Sequence, residues 1–246
     1  MQEDSNPGCV TYSLGGVGRN IAHNMRLMGL DVRMLTAYGD DMNGQRIAAA
    51  CSELGMDMTH ANVIPGGTTP TYLYITGPDG DMALAVNDMA ICEKISPAYL
   101  EANLQLLNSA QLVVVDCNIP RESLVYLAEH CTVPIFCDPV STVKAEKLRG
   151  VLGKLHTLKP NRMEAELLSG VPITSPETAI AAGEKLLETG LHRVFISMGA
   201  EGMVAVTQQG NLMMPNLPGT MVNTTGCGDA FMAGLAWAYL EGSDLR

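Results

Sequence analysis

From Gly29 onward, short runs of β-forming residues alternate with stretches whose apolar side chains recur at helical spacing. That alternation is the strongest constraint on the fold. The run Leu112-Val113-Val114-Val115 is apolar without interruption, as expected of a strand covered on both faces. Strands covered that way by crossover helices build an α/β layer fold with a mostly parallel sheet. The predicted strands are 32–38, 111–116, 134–137, 155–159, 193–197 and 203–207. The predicted helices are 19–28 with Gly29 as its stop, 43–54 before Gly55, one opened by Ser96-Pro97 and running towards Leu107, then 120–129, 161–169, 177–189 and 230–240.

Residues 71–86 break the alternation. Residues 71–76 are rich in β-formers, Gly77-Pro78-Asp79-Gly80 is a turn, and 82–86 return, which reads as a hairpin with no helix behind it. A strand at 9–14 is expected to join it in a small antiparallel flap. The chain has 246 residues, 47% apolar and 17% charged, enough to bury a full core and inconsistent with disorder. The longest apolar runs are far too short to span a membrane. The start Met1-Gln2-Glu3-Asp4 has no targeting pattern, so a cytoplasmic protein is expected.

The net charge of −11 argues against nucleic acid as a partner, although a local nest of backbone N–H groups can still hold an anion. Seven scattered cysteines without Cys-x-x-Cys spacing and five dispersed histidines suggest neither a disulfide framework nor a zinc site.

In open sheets of this kind ligands sit beyond the carboxyl ends of the strands. The candidate positions are therefore Asp116-Cys117-Asn118, Asp138-Pro139, Lys159-Pro160-Asn161, Ser197-Met198-Gly199 and Asn223 to Asp229. In the last, Gly226 and Gly228 let consecutive N–H groups point one way at the start of a helix, an anion hole. A carboxylate at Asp229 would repel phosphate, but it suits a proton acceptor for an attacking hydroxyl. The plain alternative is a Gly-rich turn with an acidic cap. Gly15-Gly16-Val17-Gly18-Arg19-Asn20 is neither a Rossmann fingerprint nor a Walker loop, and reads as either a polyol contact or a tight strand–helix junction. Asn161 and Glu164, three apart at a helix start, share a face and could hold phosphate oxygens and water-bound Mg²⁺, or simply face solvent. Ser197 to Gly202 reads as a two-glycine turn, with room for a ring or a phosphate.

The order of these pieces along one chain, with Gly39-Asp40-Asp41 between the first two, resembles the PfkB (ribokinase-like) sugar kinases over nearly the whole length. Gly15 to Asn20, Val86-Asn87-Asp88-Met89, Asp138-Pro139-Val140-Ser141 and Asn223-Thr224-Thr225 are most similar to the pseudouridine-kinase branch. The resemblance implies a three-layer sandwich with a small β-sheet lid, residues 15–60 and 91–246 forming the core and 8–14 and 61–90 the lid.

It implies transfer of the ATP γ-phosphoryl group to the 5′-hydroxyl of a ribonucleoside, pseudouridine first. Asp229 would be the base, and the N–H groups of Gly226, Cys227 and Gly228 the anion hole. Asn161 and Glu164 would organise phosphate and, through water, Mg²⁺, while Ser197, Gly199, Gly202 and Thr224 would border the nucleotide. Gly15, Gly16, Asn20, Asn87 and Asn118 would meet the acceptor. Asn223 and Thr225 stand where the family binds a monovalent cation, K⁺, with Asn223 replacing a commoner aspartate. A small-molecule substrate and a homodimer through the lid are the implied partners. Against the family's pattern both ends look short, so the alternatives are another sugar kinase such as a ribokinase, or a truncated non-catalytic remnant.

Overall fold

The computed structural model describes residues 8–77, 82–220 and 224–243. Helix α1 (Val17–Leu27) stops at Gly29, whose φ of 87° only glycine takes without strain. Strand β1 (Ala37–Gly39), helix α2 (Met42–Glu53) and strand β2 (Asn62–Ile64) follow. The strand expected over 32–38 is thus formed only at its end, and Arg33 adds one isolated bridge to Asp57. Strand β2, within the stretch assigned to the lid, pairs in parallel with β1 of the core stretch. Asp41 explains the tie: it caps α2 by accepting from Gly44 N at 2.8 Å and also accepts from Thr69 N and Oγ1, at 2.9 and 2.6 Å. Thr69 is fully buried, so the chain is anchored at the start of α2 before the flap begins.

Strands β3 (Thr71–Thr76) and β4 (Met82–Asp88) form the predicted hairpin, with residues 78–81 of its turn outside the described residues. The strand expected at 9–14 is not formed. Residues 8–16 are exposed and carry no secondary structure, and the sheet of β3 and β4 has two strands among the described residues. The carbonyls of Leu14 and Gly15 instead accept from the Arg19 guanidinium, which turns this segment into α1 and away from the hairpin.

The single helix expected after Ser96-Pro97 is two, α3 (Pro97–Ala102) and α4 (Leu104–Asn108). Asn103 breaks it: its side-chain amide donates to Tyr99 O at 2.9 Å and its oxygen meets His60 Nδ1 at 2.8 Å, a local competitor to the helix ladder. The remaining elements are β5 (Val113–Asp116), α5 (Arg121–His130), β6 (Ile135–Asp138), α6 (Thr142–Ala145), β7 (Thr157–Leu158), α7 (Arg162–Ser169), α8 (Pro176–Leu187), β8 (Arg193–Ser197), β9 (Met203–Thr207), β10 (Gly210–Met214) and α9 (Cys227–Leu240).

These strands make one six-stranded sheet in the order β10-β9-β8-β7-β6-β5, parallel from β5 to β8 and antiparallel at β8–β9 and β9–β10. Alternate residues of each strand feed opposite layers. Val113, Val115, Ile135 and Cys137 pack with Leu124 and Leu127 of α5 and with Ala179, Ala182 and Leu186 of α8. Phe136, fully buried, faces the other way under Ile21 and Met25 of α1 and Met232, Ala233 and Ala236 of α9. The result is the expected α/β sandwich, mixed but mostly parallel. No helix among the described residues is long and apolar enough to cross a membrane.

Candidate active site

The packing of α1 against α9 brings two distant motifs to one place. Helix α9 starts at Cys227, three residues before the predicted 230, so Cys227, Gly228 and Asp229 form its first turn. Gly226, at φ 80° and ψ −3°, has the geometry of the third residue of a type II turn. That turn is closed by Cys227 N donating to Thr224 O at 3.2 Å. Of the three amides expected to form the anion hole, that of Cys227 thus donates within its own turn. The N–H groups of Gly226 and Gly228 make no backbone hydrogen bond among the described residues. Gly228 lies at the positive end of the α9 dipole.

Asp229 is only 9% exposed, and one carboxylate oxygen accepts from Asn20 Nδ2 at 2.8 Å. Burial pushes its carboxyl above the ordinary carboxylate range. The Asn20 hydrogen bond and the charges of Lys159 and Arg19 oppose that rise, and the charge of Asp138 adds to it. Beneath this turn, Lys159 and Asp138 form an ion pair at 3.1 Å with both side chains almost fully buried. A side chain at Gly228 would place its Cβ 3.3 Å from the Lys159 ammonium, so glycine keeps room for that cation. Asp138 also accepts from Val140 N at 2.9 Å. Val140 has φ 69°, a strained value for a β-branched residue, held at the carboxyl end of β6.

The loop before α1 is fixed from the neighbouring strand. Gly16 is the N-cap of α1, and Gly18 N donates to Asp116 Oδ2 at 2.8 Å. Asn118 N donates to the other Asp116 oxygen at 2.8 Å, and Asn118 Oδ1 accepts from Lys144. Burial pushes Asp116 upward against those two backbone donors. Gly15, Gly16, Asn20 and Asn118 are thus connected through Arg19 and Asp116 to the start of α1. A cavity of about 400 Å³ opens beside them, lined by Asn20, His23 and Asn24 of α1 and by Thr225, Gly226 and Cys227.

Asn161 and Glu164 do meet at a helix start, as a capping box of α7. Asn161 Oδ1 accepts from Glu164 N at 2.9 Å, and Glu164 Oε2 accepts from Asn161 N at 2.8 Å. The cap therefore uses one oxygen of each, leaving Asn161 Nδ2 and Glu164 Oε1. Glu164 is 3% exposed, and burial raises its carboxyl despite the Asn161 bond. Ser197 lies beside this cap, its N–H donating to Pro160 O at 3.0 Å. Gly199 and Gly202 bound the short 3₁₀ turn between β8 and β9, where Gly199 O accepts from Asn216 Nδ2 at 2.9 Å. Among the described residues no hydrogen bond links Ser197, Gly199 or Gly202 to Asp229.

Asn87 sits exposed on the flap in register with Tyr72. Thr224 and Thr225 are exposed, and Asn223 lies outside the described residues. Sequence reasoning marked the turns holding Asp116, Asp138 and Lys159 but gave those three residues no role. The signal was there: charged residues stand at the carboxyl ends of three adjacent parallel strands. Among the described residues no group of three or more His, Cys, Asp or Glu is arranged to hold a metal ion.

A bent turn at a helix N-terminus, a buried carboxylate beside it and a Gly-Gly loop hydrogen-bonded to that carboxylate through Asn20 repeat the order seen in the sequence. The family model for pfkB carbohydrate kinases matches residues 1–246. The chain belongs to the pfkB family. It is therefore a phosphotransferase of the carbohydrate-kinase type. Among pfkB relatives, the pseudouridine kinase of Escherichia coli K12 is 38% identical over 242 residues, covering 97% of this chain and 77% of that protein. The uncharacterized sugar kinase YeiI of the same strain is 36% identical and covers 100% of this chain and 68% of that protein. Among solved pfkB-type structures, a carbohydrate kinase from Agrobacterium tumefaciens superposes with a TM-score of 0.84 at 28% identity, covering 100% of this chain and 79% of that one. An Arabidopsis thaliana ribokinase complexed with ribose and ATP shares the fold at TM-score 0.83 and 23% identity, covering 94% and 76%.

Proposed function

We propose that this pfkB-family enzyme transfers the γ-phosphoryl group of ATP to the 5′-hydroxyl of a ribonucleoside, with pseudouridine as the acceptor. The observation that carries the reading is Asp229: a buried carboxylate in the first turn of α9, beside the Gly228 amide and held by Asn20. The 38% identity to a pseudouridine kinase supports the choice of acceptor.

Phosphoryl transfer has a loose transition state, so the protein contributes mainly position and charge. The N–H groups of Gly226 and Gly228 and the α9 dipole would receive the migrating phosphoryl oxygens. Asp229 would orient the acceptor hydroxyl and take its proton late, and its raised pKa makes it a better base than an exposed carboxylate. Gly15, Gly16, Asn118 and the flap residue Asn87 would hold the nucleoside, while Ser197, Gly199, Gly202 and Thr224 would border the nucleotide. Glu164, whose second oxygen is not used by the α7 cap, would hold Mg²⁺ through water, which would supply neutralising charge. Thr225 with Asn223 would take K⁺.

Asp229→Asn tests the base. Turnover is expected to fall about a hundredfold or more while nucleotide-dependent thermal stabilisation persists. Retained turnover would remove the reading. A coupled ADP-release assay across ribose, adenosine, uridine and pseudouridine tests the acceptor, and a higher kcat/KM for any of the first three would reassign it.

A further inference from the structure

We propose that Arg19 is a positioning residue for Asp229: its guanidinium fixes the Asn20 side-chain amide with the N–H₂ edge on the carboxylate. Arg19 Nη2 donates to Asn20 Oδ1 at 2.6 Å, and Asn20 Nδ2 donates to Asp229 Oδ2 at 2.8 Å. A guanidinium only donates and an ionised carboxylate only accepts, so one orientation of the amide satisfies both neighbours. The flipped amide would set N–H₂ against the guanidinium and oxygen against the carboxylate. Arg19 is itself clamped, Nε donating to Gly15 O at 3.0 Å and Nη2 to Leu14 O at 2.9 Å.

Helix stability does not account for this arginine. It stands in the first turn of α1, where a cation opposes the dipole and no acid is present to balance it. Among the described residues it has no ion pair with an acid. Two other charged groups act on Asp229, from the ends of β6 and β7. These are Asp138 and Lys159, and they are paired with each other. Among the described residues Arg19 is thus a cation that acts on Asp229 and has no acidic partner of its own, and Asn20 relays its charge.

The inference rests on Asp229 being the base, and the tests separate the two. In Arg19→Met the Asn20 amide loses its anchor. The acidic limb of the kcat/KM profile is expected to move to higher pH and kcat to fall about tenfold, the scale of an outer-shell partner, with KM for ATP held. Arg19→Lys keeps the charge without the fork, so its limb should lie nearer the wild type while kcat stays several-fold down. In an Asn20→Ala background, Arg19→Met should displace the limb less than it does with Asn20 present, because only the direct effect of its charge is left to lose. An arginine of purely structural value would lower the melting temperature and leave the limb in place. Should Arg19→Met not fold, wild-type kcat in Arg19→Lys overturns the proposal. If Asp229→Asn is inactive and Arg19→Met keeps the wild-type limb, this inference fails alone; if Asp229→Asn retains turnover, the base assignment fails first.

Discussion

Lys159 and Asp138 show how little of the site is local. Each is 5% exposed, and neither charge is tolerable there without the other. Removing one partner of a buried pair leaves an uncompensated charge, so Lys159→Met is expected to cost about 3–5 kcal/mol in a denaturant titration. Lys159→Met combined with Asp138→Asn should recover most of that loss, and a double variant as unstable as the single would show that the pairing is not what matters. The carboxylate of Asp229 could be read from the chain because Gly226, Gly228 and Asp229 are neighbours in it. The pairing of Lys159 with Asp138 could not be read from the chain, because they end separate strands and only packing decides which charges meet; nor could the role of Arg19, because Asn20, its neighbour, finds Asp229 only 209 positions away.

At the scale of elements, the face of the sheet under α1 and α9 holds a ring cluster that ties β6, β7, β8 and α9 together. His156 stacks on Phe136 at 5.5 Å and meets His192 at 5.2 Å and Tyr239 at 4.9 Å. The Arg193 guanidinium lies 5.3 Å from the Phe136 ring centroid and 4.9 Å from that of Tyr239. Burial, then the charges of Arg193 and His192, lower His156 to about 4. The folded state therefore binds fewer protons at this site than the unfolded chain, whose histidine titrates near its ordinary value. Stability from this group is complete at neutral pH and is lost as pH falls from about 6.5 towards 4. His156→Phe keeps a ring in the stack and removes the proton, so its melting temperature should fall less steeply over that window than the wild type's. Parallel slopes would show that another group sets the acid sensitivity. Helix and strand periodicity located most of these elements. It missed β10, an edge strand that is mostly exposed and so lacks a buried apolar run, and it joined α3 to α4 because Asn103 breaks the helix through His60, which lies outside any local pattern.

At the scale of the whole molecule, the flap is unfinished as a free surface. Leu73 faces Val86 and Ile75 faces Leu84 across β3 and β4 on one side of the hairpin, and all four are 44–60% exposed. A two-stranded ribbon with an apolar face is marginal unless something covers it. A second copy covering it predicts a dimer in sedimentation equilibrium and a monomer for Leu73→Asp; identical masses for the two proteins would rule out this face as the contact. The residue pattern alone determined the layered α/β class, the hairpin and the Gly-Cys-Gly-Asp turn, because periodicity, β-branching and glycine placement act over a few neighbours. Tertiary structure decided the rest. It withheld 9–14 from the flap because Arg19 takes the carbonyls of Leu14 and Gly15, and it turned the Cys227 amide into its own turn. It also joined Asn20 to Asp229, 209 positions apart, when α1 packed on α9. Such contacts depend on which faces are buried together, a property of the assembled core that no short stretch of chain carries.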